Sequence, residues 1–267
     1  MDTQLGRFAA QIERPEPIKF ASPIVLLPEL FTTSRHLAVM LGYLATIGWE
    51  VYAPDLRSAG APLGTMHFDD LLALAGEAID AIDREVIVAG HGIGGLLSMC
   101  LAGRPRIKAG VALAPMLPGF RSPFVTGIAN RLALWRGRAL SAPSGRTLFD
   151  FVADAEAFQR DVMISAMIPD AGAAALDVAH GAVELPEPSR AAPRLIIAGE
   201  SDPFAPFDRV TAMAENLGAK LVKIPGRGHW LIGGRALERA INEMQRFLVR
   251  ALGQDLLLLF PEEWKER

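Results

Sequence analysis

Chemistry in this chain has to come from few residues. Among its 267 residues are five histidines and one cysteine. One segment packs its glycines densely enough to mark a special turn: Val86-Ile87-Val88-Ala89-Gly90-His91-Gly92-Ile93-Gly94-Gly95-Leu96-Leu97. It reads as a buried strand, a glycine-rich turn and the start of a helix. Glycines at 90, 92 and 94 permit a strained turn held tightly between strand and helix. Gly92, at the apex, offers no side chain, so no covalent acyl intermediate can form on it. Ser98 and Cys100 follow by one and a half to two helical turns, ~9 Å or more along the axis at ~1.5 Å per residue, and read as core. His36, His67 and His180 are isolated, with no metal-ligand spacing, so no metal is expected. The segment 90–95 lacks the lysine of a phosphate-binding loop and a suitably placed ribose-binding acid, so no organic cofactor is expected either.

Such a turn needs a sheet beneath it. Short apolar runs at Ile24–Leu27, Glu50–Ala53, Val86–Ala89, Ala109–Leu113, Leu195–Ala198 and Leu221–Ile224 are continuous enough to be buried on both faces, as parallel strands are. Stretches at Ser34–Ile47, Phe68–Ile82, Gly94–Ala102 and Arg235–Leu252 carry apolar residues at helical spacing, with Ser34 and Asp69 as candidate N-caps. The alternation predicts an α/β doubly wound sheet. Residues 115–193 break it with a mostly helical stretch, read as an inserted lid whose Phe120, Phe124, Trp135 and Phe149 line a cavity beneath; a second small helical core is the equal alternative. The run Leu256–Phe260 must dock somewhere, on its own domain or across a homodimer seam.

Landmarks in fixed order make the chain resemble the α/β-hydrolase superfamily over roughly residues 20 to 252. The turn at 90–94 resembles the Gly-x-Ser-x-Gly nucleophile elbow, with Gly92 where the attacking serine would stand. Ile24–Leu30 resembles the strand and loop that give one oxyanion-hole amide, and residues 53–60 (Ala-Pro-Asp-Leu-Arg-Ser-Ala-Gly) the next strand-end turn. Ile197–Phe204 and Pro225–Trp230 resemble the acid and histidine loops. The resemblance implies an α/β-hydrolase fold, a doubly wound, mostly parallel sheet with a helical lid. It also implies that Asp202 orients His229 and stabilises its charged form, leaving the other ring nitrogen as base. The amides of Leu30 and Ile93 would form the oxyanion hole, and Glu29, His91 and Trp230 would border the pocket, with His91 as scaffold. Glu29 departs from the pattern, falling where relatives commonly carry glycine, and a carboxylate there would oppose a developing oxyanion. It either faces solvent or caps the next helix, or it binds a substrate donor or serves as a second acid/base group.

The expected activity is that of a hydrolase or lyase using the His229–Asp202 pair as general base without a serine nucleophile. Its substrate would be a small, largely apolar ester, lactone, thioester or carbon acid. General-base catalysis contributes ~10²–10⁴-fold and positioning adds more, so serine is dispensable in principle. The alternatives are a non-catalytic relative that binds a small molecule or a protein, and a hydrolase inactivated by an engineered serine-to-glycine change. Apolar residues at 51 %, charged residues at 21 % and a net charge of −3 fit a globular chain and give no basic footprint for nucleic acid. The N-terminus lacks a secretory pattern and no apolar run reaches the ~18 residues of a membrane span. With a single cysteine, a cytoplasmic protein without membrane association is expected.

Overall fold

The computed structural model describes residues 2–59, 62–126, 128–188 and 192–257. Among the described residues, eight strands form one sheet: β1 (Asp2–Leu5), β2 (Phe8–Glu13), β3 (Ile24–Leu27), β4 (Val51–Pro54), β5 (Val86–His91), β6 (Ile107–Leu113), β7 (Arg194–Gly199) and β8 (Lys220–Ile224). Their order is β1-β2-β4-β3-β5-β6-β7-β8. β1 and β2 are antiparallel and β2 joins β4 antiparallel; all other pairs are parallel. Every residue of β3, β5 and β7 is buried, the continuous apolar pattern of a strand covered on both faces. The β1–β2 hairpin escaped the sequence reading. Its strands carry Thr and Gln, and only the alternation that buries Leu5, Phe8 and Ala10 around a turn at Gly6 (φ +57°) betrays it.

The helices that flank the sheet are α1 (Ala38–Ile47), α2 (Phe68–Asp80), α3 (Ile93–Leu101), α9 (Phe207–Leu217) and α10 (Gly234–Leu252), with shorter helices between β6 and β7. The expected helix from Ser34 begins instead as a 3₁₀ turn, Ser34–Leu37, before α1. At α2 the N-cap is His67 rather than Asp69. The Asp70 carboxylate turns back to accept the His67 amide at 2.8 Å, and Asp177 accepts the Phe68 amide at 2.9 Å. α9 was missed because its apolar stripe is narrow: Val210, Met213, Ala214 and Leu217.

The insertion consists of α4 (Pro123–Thr126), α5 (Ile128–Trp135), α6 (Gly145–Phe151), α7 (Ala157–Ser165) and α8 (Gly172–His180). Phe124 is buried, but Trp135 and Phe149 are 81 % and 60 % exposed, so those two do not line an internal cavity as expected. Leu256 is buried and its carbonyl accepts the Ala21 amide at 2.9 Å, while Leu257 bridges Phe20. The start of the C-terminal apolar run thus docks on its own chain; Leu258–Phe260 lie outside the described residues. Among the described residues no helix is long and apolar enough to cross a membrane.

Candidate active site

The site is assembled at the C-terminal ends of β3, β5 and β7, with one more loop after β8. β5 delivers Gly92 in a backbone conformation of φ +52°, ψ −114°. An L side chain is strained there. Gly90 and Gly94 are compelled by packing: a Cβ on Gly90 would run into the backbone of Gly94, and one on Gly94 into the backbone of Leu27. The turn is therefore closed from both sides, and Gly92 faces the loop that follows β3.

That loop brings in Glu29, which is completely buried. A Cβ built on Gly92 would collide with the Glu29 carboxylate, Oε2 first. The space a residue-92 side chain would use is thus filled by a carboxylate from another part of the chain. Glu29 Oε1 accepts the Leu30 amide at 2.6 Å and the Ile93 amide at 3.0 Å. Oε2 faces His229 Nε2 at 3.2 Å. The two amides expected to form an oxyanion hole both point at one carboxylate oxygen, which takes the place an oxyanion would occupy.

His229 is clamped on its other side. Its Nδ1 lies 2.8 Å from Asp202 Oδ2, while Asp202 Oδ1 accepts the amides of Phe204 (2.7 Å) and Ala205 (3.1 Å). Burial alone would suppress the charge on His229, but Asp202 and then Glu29 overcome it and push the pKa up to about 9. The residue is an imidazolium between two carboxylates at neutral pH, and in this closed arrangement it is not a free base. His91 behaves oppositely. Burial, reinforced by the nearby His229 charge, lowers its pKa to about 4. Its Nε2 meets the His229 carbonyl at 2.8 Å, which makes Nε2 the donor and leaves Nδ1 as a lone-pair nitrogen without a hydrogen-bond partner among the described residues.

Aromatic rings roof the cluster. Phe204, Phe151 and Phe124 stand 4.9, 5.3 and 6.3 Å from the His229 ring, centroid to centroid. Two of these three come from the insertion. Trp230 is buried with its ring 5.7 Å from His91 and borders a cleft of about 260 Å³ with Phe158, Val162 and Met163 of α7.

The sequence reading missed a second layer. Arg57 donates from Nε to Asp170 Oδ1 at 2.7 Å and from a terminal nitrogen to the Glu29 carbonyl at 3.1 Å. Asp170 also accepts the amides of Phe31 and Ala171, each at 2.6 Å. Phe31 sits at φ +65°, a conformation that costs about 1–3 kcal/mol outside glycine and is held by this ion pair. The Arg57–Asp170 pair therefore fixes the loop that carries Glu29. It also ties that loop to the insertion. Arg57 lay in a quoted turn, but nothing in its surroundings pointed to a partner 113 residues away.

Comparison with known proteins agrees with this architecture. The sequence pattern of the alpha/beta hydrolase family matches residues 25–240. The chain belongs to that family. A monoacylglycerol lipase of Paleococcus ferrophilus superposes with a TM-score of 0.70 at 20 % identity, covering 90 % of this chain and 98 % of the lipase. The enol-lactonase from Burkholderia xenovorans LB400 gives 0.66 at 19 % identity, covering 95 % and 100 %. At such identities the likeness is one of fold. An epoxide hydrolase 3 of Siraitia grosvenorii is 33 % identical over 125 residues, and the match spans 38 % of each protein.

Proposed function

We propose that this α/β hydrolase works without a serine, using the Glu29 carboxylate as nucleophile and the His229–Asp202 pair as acid and then base. The carrying observation is that the Glu29 carboxylate fills the position above Gly92, with one oxygen on both loop amides and the other toward His229. The preferred substrate class is a small, largely apolar epoxide. A carboxylate attacking an ordinary ester expels an alkoxide only with difficulty, because the carboxylate is itself the better leaving group and the adduct reverts. A strained three-membered ether releases its strain on opening, so the attack is productive. The partial likeness to the epoxide hydrolase 3 of Siraitia grosvenorii supports the same choice.

The charges fit the sequence of steps. Glu29 Oε2 attacks a ring carbon and the carbon–oxygen bond of the ring breaks. The alkoxide takes the proton of His229 Nε2, which a pKa of about 9 makes available at neutral pH. Esterified Glu29 has lost its charge, so only Asp202 still opposes burial and His229 becomes the base. A water molecule gives it a proton and attacks the glutamyl carbonyl carbon. Oε1 carries the developing negative charge between the Leu30 and Ile93 amides. Collapse releases the diol and restores the carboxylate. Glu29 is fully buried and His229 only 1 % exposed, so substrate entry requires Phe124 and Phe151 to move with the insertion.

Those same burials favour a second reading, a non-catalytic relative whose Glu29 plugs a former oxyanion hole. Assays against epoxides, esters, thioesters and lactones, with Glu29→Gln and His229→Gln beside the parent, decide between them. Epoxide hydration lost in both Glu29→Gln and His229→Gln, with a covalent mass adduct on Glu29 in the acid-quenched parent protein during turnover, is the expected result. Turnover that survives in Glu29→Gln but not in His229→Gln would instead make His229 a direct base on water. No turnover of any class would favour the plugged relative.

A further inference from the structure

We propose that Glu29, His91 and His229 form a binding site for one divalent transition-metal ion of the zinc class. The three come from the loop after β3, the end of β5 and the loop after β8, and no sequence spacing links them. In space they converge: one carboxylate oxygen and one nitrogen from each imidazole lie within 4.8 Å of one another, and all three residues are buried. Zinc binds nitrogen and carboxylate oxygen at about 2.0–2.2 Å in a tetrahedron, which sets ligand atoms roughly 3.3–3.6 Å apart. The Glu29 Oε2 to His229 Nε2 edge is already 3.2 Å. The remaining edges must close by at most roughly 1.5 Å to reach that spacing, a side-chain adjustment.

The outer shell is in place. Metal-bound histidines typically give their second nitrogen to a carboxylate or a carbonyl, which fixes ring orientation. Asp202 Oδ2 holds His229 Nδ1 at 2.8 Å, the His229 carbonyl holds His91 Nε2 at 2.8 Å, and two amides hold Glu29 Oε1. His91 Nδ1 is left buried and without a hydrogen-bond partner among the described residues. Two nitrogens and one carboxylate form a zinc-type donor set, poorly suited to calcium or magnesium, which take oxygen ligands. On binding, the ion displaces the His229 Nε2 proton and takes over its charge between the buried Glu29 and Asp202 carboxylates.

Metal bound here holds the two atoms that the proposed reaction uses, Glu29 Oε2 and His229 Nε2, so occupancy stops that reaction. The binding itself does not depend on the protein being an enzyme. The test is calorimetric titration of chelator-treated, desalted full-length protein with Zn²⁺, with a parallel Co²⁺ titration read by visible absorption. One Zn²⁺ per chain is expected, with affinity at least about tenfold weaker in Glu29→Gln and in His91→Gln and unchanged in the surface control His67→Gln. Co²⁺ bound to the unsubstituted protein by the three side chains and one water should show the intense visible bands of a four-coordinate site, which keeps the proposal testable should a variant fail to fold. Absence of binding, equal affinity in all variants, loss in His67→Gln alone, or a weak six-coordinate Co²⁺ spectrum would each overturn it. Binding without any turnover would leave this site standing and count against the proposed reaction; epoxide turnover unaffected by saturating Zn²⁺ would do the reverse.

Discussion

Placing serine at position 92 should unfold much of the site unless Glu29 is removed with it. In Gly92→Ser the new Cβ falls into the Glu29 carboxylate, which must leave the Leu30 and Ile93 amides and His229. Hydrogen bonds to a charged group contribute about 1.5–3 kcal/mol each, so losing the two from the amides costs roughly 3–6 kcal/mol. The backbone at φ +52° adds about 1–3 kcal/mol of strain for a residue with a side chain. A total of about 4–9 kcal/mol stands against typical stabilities of about 5–15 kcal/mol. In Glu29→Ala the amides lose the same partner without a collision. In the double variant the serine meets no carboxylate, and only the strain is added. The double variant should therefore be about 3 kcal/mol or more stabler than the sum of the single effects, far outside the ~0.5 kcal/mol scatter of independent sites. Urea unfolding followed by circular dichroism on the four proteins measures this. Additive effects within that scatter would refute the placement of Glu29 above Gly92.

The double variant Gly92→Ser/Glu29→Ala should also acquire burst-phase hydrolysis of activated esters, with an acyl adduct on residue 92 visible by mass spectrometry, because His229, Asp202 and both amides are then free to serve it. Gly92→Ser alone should show neither. Stability should peak near pH 6.5. The raised His229 contributes fully below its unfolded value of about 6.5, and on the order of 3 kcal/mol is lost as pH climbs through about 9. The depressed His91 contributes fully above about 6.5 and loses its share as pH falls toward about 4. A monotonic rise in urea midpoint from pH 6.5 to 9 would contradict the imidazolium clamp. Asp170→Ala should cost about 3 kcal/mol, because buried Arg57 loses its directly paired carboxylate and keeps only the more distant charges of Asp55 and Glu29; Arg57→Met with Asp170→Leu should be milder than either single change, as a double-mutant cycle would show.

The fold was legible because buried parallel strands write themselves as unbroken apolar runs. Ile24–Leu27 reads the same in sequence and structure, and Val86–Ala89 and Leu195–Ala198 fall short by only one or two residues at an end. The glycines at 90, 92 and 94 were legible for a similar reason: close backbone approach leaves a residue-type signature. Glu29 was visible as an oddity, a carboxylate in a loop of amide donors. Its place was not, because the direction of a side chain depends on what vacates space for it, and here that is the missing side chain of Gly92. Asp170 and Phe151 were illegible. They sit in an insertion whose helices carry apolar residues on several faces, so periodicity does not separate Phe151, which is buried, from Phe149, which is not. His91 and His229 were both quoted, but their approach to Glu29 is a property of three separate strand ends.

The central claim is that Glu29 forms a bond with the substrate, and isotope transfer tests it most directly. The protein, in excess over an epoxide, is allowed a single turnover in ¹⁸O-water, and the peptide containing Glu29 is weighed beside the product. Hydrolysis of a glutamyl ester at its carbonyl carbon places the label in Glu29 and leaves the first-formed diol unlabelled. Label in the diol and none in Glu29 would mean that water attacks the substrate directly, and the carboxylate above Gly92 would not be the nucleophile.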